Sequence, residues 1–339
     1  MRPSLKGAVS AFRRTIGIGQ TRPDAPLDIA LDMYGKGDYP AALRLLRPLA
    51  DQGVAAAQHV VGVLYQQGKG VPANSAEALR WFRLAAANGN AEAQYSLARL
   101  YGSGNGVARD DAEAARWYRL AAETGNAEAR YALGAALYHG QGIRKDAPEA
   151  ARAYRVAADA GVPAAQFALG AMLLAGDGIP KDRPEGVKLI AKAAEGGSPD
   201  AQFALASLHD EGDGVARDPS AAAEWYRKAA AQGHLQAQFN LGLMYENGEG
   251  VDEDPAEAAH WYRMAANRGD MDAQDSLARL HERGSGVPQD YLLAHMWYNL
   301  AASQGDQDAQ HARERIASDM TRAEVLQARR MARDWRPDR

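Results

Sequence analysis

The chain repeats itself every 36 residues. "NAEAQYSLA" at 90–98 returns as "NAEARYALG" at 126–134. Seven such units follow without a gap: 54–89, 90–125, 126–161, 162–197, 198–233, 234–269 and 270–305. A unit this short cannot bury a core alone. Fixed-period repetition therefore requires that each copy be covered by its neighbours, as in a solenoid or array.

Each unit reads as two helical halves. The first resembles "AQFNLGLMYENG". Its fourth position is always Ala, from Ala57 to Ala273, and its ninth is always Gly or Ala. These positions share a helical face, and a face of small residues lets a second helix come close. The second half resembles "DPAEAAHWYRMAANRG" and opens on Asp, or on Asn74 in the first unit. Asp and Asn are good helix N-caps. Glu follows three residues later at Glu77, Glu113, Glu149, Glu185 and Glu257, the spacing of a capping box. An Ala-Ala pair recurs in every second half, and each unit closes on Gly, suited to a left-handed C-cap. The "G-x-G-[VI]" between the halves, as in Gly104 to Val107, is a turn. A phosphate loop would need a strand before it, and no strand pattern is present.

These motifs resemble the Sel1-like repeat family, a relative of the tetratricopeptide repeats. The resemblance covers 54–305 through A-Q-x-x-L-G-x-x-Y (Ala237 to Tyr245), the G-x-G-V turn and A-x-x-W-Y-R (Ala258 to Arg263). It implies an all-α fold, a right-handed α/α superhelix of antiparallel helix pairs, acting as a non-catalytic adaptor in bacterial signalling or envelope regulation. Residues 23–53 read as a divergent leading helix pair with a shorter, tetratricopeptide-like turn, and 306–339 as capping helices that cover the end of the stack. Units three and four depart from the pattern, with Ala153 and Leu189 in place of Trp.

If the kinship holds for the binding face too, unit positions 6, 10, 13 and 14 point toward a partner. Position 6 gives Tyr95, Tyr131, Phe167, Phe203 and Phe239. Such a stripe has two readings: packing between helices, or anchors for a bound peptide or helix. Ala135, Tyr138, His139, Ala171, Leu174 and Ala175 add an apolar zone. Downstream, Asp210, Glu211, Glu246 and Glu282 turn the same positions acidic, which suits a basic and hydrophobic protein partner. A row at position 30 (Arg83, Arg119, Arg155, Arg227 and Arg263) is expected to lie over the second helices and pair with neighbouring acids.

Composition narrows the function classes. Of 339 residues, 46% are apolar and 24% charged, and none is Cys. Disulfides and thiolate chemistry are excluded, which fits a reducing, cytoplasmic setting. The segment 1–22 is basic, with five Lys/Arg and no acid, yet the body between it and residue 306 carries 26 basic against 36 acidic groups. An acidic body argues against nucleic-acid binding. Arg13-Arg14 interrupts the N-terminal apolar run, so no export signal is expected. Leu5, Val9, Phe12 and Ile16 leave residues 1–20 either a weak membrane-surface helix or a plain tail. No cofactor or metal is expected. The eight His are scattered, and Asp210 and Glu211, being adjacent, diverge on a helix. The competing class is a hydrolase acting on cell-wall or β-lactam-like substrates. It would need a nucleophile beside a base, and no such pair stands out.

Overall fold

The computed structural model describes residues 25–338. The basic segment 1–22, with its possible membrane-surface helix, lies outside the described residues. The chain forms two compact units that divide after Lys181. The first holds α1 (Pro26–Gly35), α2 (Tyr39–Asp51), α3 (Ala55–Gln67), α4 (Ser75–Ala87), α5 (Ala91–Ser103), α6 (Asp111–Glu123), α7 (Ala127–His139), α8 (Ala147–Asp159) and α9 (Pro163–Ala175). The second holds α10 (Arg183–Glu195), α11 (Pro199–Glu211), α12 (Pro219–Ala231), α13 (Leu235–Asn247), α14 (Pro255–Asn267), α15 (Met271–Arg283), α16 (Tyr291–Ser303), α17 (Gln307–Ala317) and α18 (Arg322–Asp334). No strand occurs among the described residues.

Within each unit, successive helices pack on one another as far as α16, which packs on both α17 and α18. A 13-residue helix is about 20 Å long, while the three residues that join many of these helices span at most about 10 Å. A packed neighbour must therefore run back alongside, and each unit is an α/α solenoid of antiparallel pairs.

The caps form where the sequence places them. Asp146 accepts from the backbone N–H of Glu149 at 2.8 Å, and Asp290 from that of Leu293 at 2.9 Å. The reciprocal half of the expected capping box closes at Thr321, whose N–H donates to Glu324 at 2.7 Å. In the repeats it gives way to a nearby cation. Glu77, Glu113 and Glu185 turn to Arg80, Arg116 and Lys188, one helical turn on.

The two glycines of each inter-helix turn have different tasks. The first is the left-handed C-cap, as at Gly284 (φ 68°). The second, also at positive φ, touches the preceding repeat. A Cβ on Gly286 would lie 2.2 Å from the carbonyl of Pro255, and one on Gly142 would lie 1.9 Å from that of Asp111. The loop of one hairpin thus rests on the start of the previous hairpin's second helix. Inside a hairpin, the small residue at position 9 receives a ring from the second helix. A Cβ on Gly134 would meet Tyr154 at 2.8 Å, and one on Gly242 would meet Tyr262 at 2.6 Å.

A polar latch joins successive hairpins. The buried glutamine at position 5 donates to a carbonyl at the end of the preceding helix: Gln58 to Ala50, Gln94 to Ala86, Gln202 to Ala194 and Gln274 to Ala266, at 3.0–3.3 Å. In these four the amide oxygen also accepts from the cap region of the next helix, as Gln274 does from Gln304 at 2.9 Å, whereas the oxygen of Gln238 finds no partner among the described residues. One side chain thus brings a second donor to a carbonyl that the N–H of a glycine three residues on already reaches, as Gly269 reaches Ala266 at 3.0 Å. The recurring Gln of the A-Q-x-x-L-G motif is the sequence signal of this latch. Gln274→Leu keeps the volume and removes both bonds. It should cost about 2 kcal/mol, read as a lowered urea midpoint; an unchanged midpoint would show the latch to be idle.

Two of the position-30 arginines take a partner other than the expected acid. Arg83 donates to the hydroxyl of Tyr101 at 2.8 Å and Arg227 to that of Tyr245 at 3.0 Å. Their partner is a phenol of the next repeat and not a carboxylate, because position 12 of the following first helix is the group within reach.

Candidate functional site

The aromatic stripe is half in the core and half at the surface. In the first unit, Tyr95 on α5 lies 5.9 Å from the ring of Tyr118, and Tyr131 on α7 lies 5.6 Å from that of Tyr154. In the second, Phe203 on α11 sits 5.6 Å from Tyr226 and Phe239 on α13 sits 5.8 Å from Tyr262. Phe203 also stacks on His234 at 4.5 Å. Each ring therefore packs against the second helix of its own hairpin, and all four, with Phe167, remain partly open to solvent.

The apolar zone of the first unit is shallow. Leu174 and Tyr138 are half-buried, while Ala171, Ala175 and His139 are exposed. The hydroxyl of Tyr138 donates to Asp177 at 2.5 Å, which ties the end of α7 to the turn after α9. That bond holds the Tyr138 phenol above its ordinary range.

The acids of the second unit differ from one another. Glu246 accepts from the hydroxyl of Tyr262 at 2.5 Å and lies 3.9 Å from Arg279. Glu282 accepts from Tyr298 at 2.7 Å and from both terminal nitrogens of Arg315, at 2.5 and 3.0 Å. Burial alone would push the Glu282 carboxyl up, but the bonds from Arg315 and Tyr298 hold it below the ordinary range. Burial and the facing Glu246 raise the Tyr262 phenol. Asp210 and Glu211 have no such donor, and burial followed by repulsion from Glu249 raises Asp210. Glu211 is exposed. Of these four acids, the pair at the end of α11 is the one without a side-chain donor among the described residues.

In the first unit a cavity of 380 Å³ lies where α5, α6 and α7 meet, lined by Arg99, Gly102, Tyr118, Tyr131, Ala132 and Ala135 among others. Arg99 also borders a second hollow of 220 Å³ with Gln66, Ser96 and Ser103. Of these groups, Tyr131 and Ala135 were legible as surface candidates. Arg99 and Gly102 stand at positions 10 and 13 of their unit, which the same rule turns toward a partner, but those positions vary from repeat to repeat and form no motif. Among the described residues no three His, Asp or Glu side chains gather as a metal set, and no helix is long and apolar enough to cross a membrane.

The family model described as Sel1 repeat matches eight stretches: 29–54, 55–90, 91–126, 127–162, 163–198, 199–234, 235–270 and 272–306. Among solved structures, a Sel1 repeat protein from Oxalobacter formigenes is 31% identical with a TM-score of 0.66, over 93% of this chain and 87% of that one. A protective antigen present in uropathogenic Escherichia coli strains, displaying the same repeat fold, is 28% identical with a TM-score of 0.57, over 98% and 84%. No curated protein matches in sequence.

Proposed function

The chain belongs to the Sel1 repeat family, and from that premise we propose that it is a non-catalytic scaffold that holds a protein partner on the exposed edges of its first helices. Proteins built of these repeats are generally interaction scaffolds, and the repeats are typically non-catalytic. One observation carries the reading for this chain. The rings of its aromatic stripe are partly buried and partly open to solvent, and four of them pack against the second helix of their own hairpin, a disposition that suits an anchor. The partner segment is a peptide or helix with apolar side chains for Tyr131, Phe167 and Leu174. For the second unit it offers basic side chains to Asp210 and Glu211. A regulatory role in signalling is the setting that such a scaffold suits.

The triple variant Tyr131→Gln, Phe167→Gln, Leu174→Gln tests this. Its helical circular dichroism should stay within about a tenth of the wild-type signal, since these rings are only half-buried. Binding of a co-purified partner, quantified by mass spectrometry, should fall by tenfold or more. A folded variant that retains the partner would refute the surface. Global unfolding would assign the stripe to the core instead.

A further inference from the structure

The two halves of the chain treat the same place in the repeat differently, and the difference points to a ligand. In repeats six and seven, position 13 is a glutamate whose carboxylate accepts from the second-helix tyrosine sixteen residues on: Glu246 from Tyr262 and Glu282 from Tyr298. A cation completes each group, Arg279 at 3.9 Å from Glu246 and Arg315 at 2.5 Å from Glu282. Repeat two keeps the tyrosine, Tyr118, and has Gly102 at position 13. A Cβ built on Gly102 would stand 3.9 Å from the Tyr118 hydroxyl and 3.6 Å from the nearest carbon, so the missing side chain leaves room. That room is the 380 Å³ cavity.

Three donors around the cavity, on Arg99, Tyr118 and Tyr131, have no acceptor among the described residues, whereas Ser103 donates to the carbonyl of Leu100 at 3.4 Å. Arg99 lies one helical turn before Gly102 on α5 and makes no hydrogen bond or ion pair with the described residues. Its guanidinium rests over the Tyr95 ring, 5.9 Å from the centroid. The hydroxyls of Tyr118 and Tyr131 likewise donate to none of the described residues. The one carboxylate in the wall, Asp111, is already held by Arg109 through two bonds of 2.9 Å. The cavity therefore offers a cation, two phenol donors and an alanine floor formed by Ala132, Ala135 and Ala136, with no unpaired negative charge.

We propose that this cavity is a socket for a carboxylate supplied from outside, an acidic side chain or free C-terminus of a protein partner, seated where Glu246 and Glu282 seat their own. The inference rests on the scaffold reading and names one anchor of the partner. An Arg–carboxylate bond with phenol donors is the charge-assisted kind that fixes register. The flanking alanines accept apolar neighbours of the acid.

The test uses the full chain and three peptides carrying an uncharged dye: acetyl-Leu-Ala-Glu-Leu-Ala-amide, its Gln counterpart, and the Gln form with a free C-terminal carboxylate. In fluorescence anisotropy one or both acidic peptides should bind at least tenfold more tightly than the neutral one. The arm that does so identifies the source of the carboxylate. Arg99→Gln should remove that preference. So should Gly102→Glu, which puts an internal acid in the socket as repeats six and seven do and should leave the thermal midpoint unchanged. Gly102→Ala should bind within twofold of wild type. Equal affinity for all three peptides, binding by none, or an undiminished preference in Gly102→Glu would overturn the socket. If a protein partner is still retained by Arg99→Gln and lost from the Tyr131, Phe167, Leu174 variant, the scaffold stands while the socket falls. Peptide discrimination with no protein partner retained would reject the scaffold alone.

Discussion

Gly286→Ala is expected to destabilise the second unit by about 4 kcal/mol, several times what the same change costs at Gly305. Both glycines hold positive φ, 68° and 108°, so both variants bear the strain of an L-residue there, about 1–2 kcal/mol. At Gly305 nothing lies within 4 Å and the cost stops at that. At Gly286 the new methyl would lie 2.2 Å from the carbonyl of Pro255 and 2.5 Å from the amide of Ala256. These are backbone atoms at the first turn of α14, which cannot rotate away as a side chain would. The loop must lift, and its rest on the preceding hairpin is lost. Guanidinium unfolding of the two single variants measures the difference. Equal midpoints would mean that the loop gives way freely and that only the dihedral angle matters.

The second large effect is a gain. His295 on α16 is fully buried, and neither ring nitrogen has a partner among the described residues. Burial, then the charges of Arg313 and Arg329, pushes its pKa down to about 4. The ring is therefore neutral in the folded chain at pH 7, with two polar atoms left unpaired. His295→Leu should stabilise by about 1–2 kcal/mol at pH 7.5 by removing them. The sign of the pH dependence follows from the depressed value. The unfolded histidine takes up a proton near pH 6.5 while the folded one does not. The wild type therefore loses stability as pH falls from there toward 4, and the leucine variant lacks this loss. The advantage should grow by about 2 kcal/mol between pH 7.5 and 5, then level off below pH 4. His59 on α3, also pushed down to about 4 by burial, is common to both proteins and cancels. A constant gap across that range would show that His295 does not titrate as its surroundings imply.

The architecture was readable because it is written many times over. Asp caps, glycine stops and the invariant Ala57-to-Ala273 column each state one physical requirement, and a period of 36 residues aligns them. Partners within reach were harder to read. Sequence spacing placed Glu77 and Glu113 in capping boxes, but it could not say that Arg80 and Arg116 would draw those carboxylates outward. It gave Arg83 and Arg227 acids, although the next repeat brings up a phenol to each. The glutamine latch and the Gly102 gap share a cause for being overlooked. Each depends on which atoms of adjacent hairpins meet, and a consensus column lists residues without their neighbours.

The latch has a consequence for chain length. Each glutamine reaches only the helix before it and the cap after it, so no bond it makes refers to a distant part of the chain. Excising or duplicating one whole module, cut at equivalent points, would recreate the same joint between its new neighbours. For such a protein the number of modules is an adjustable quantity, and the array can be lengthened or shortened without redesigning a single seam.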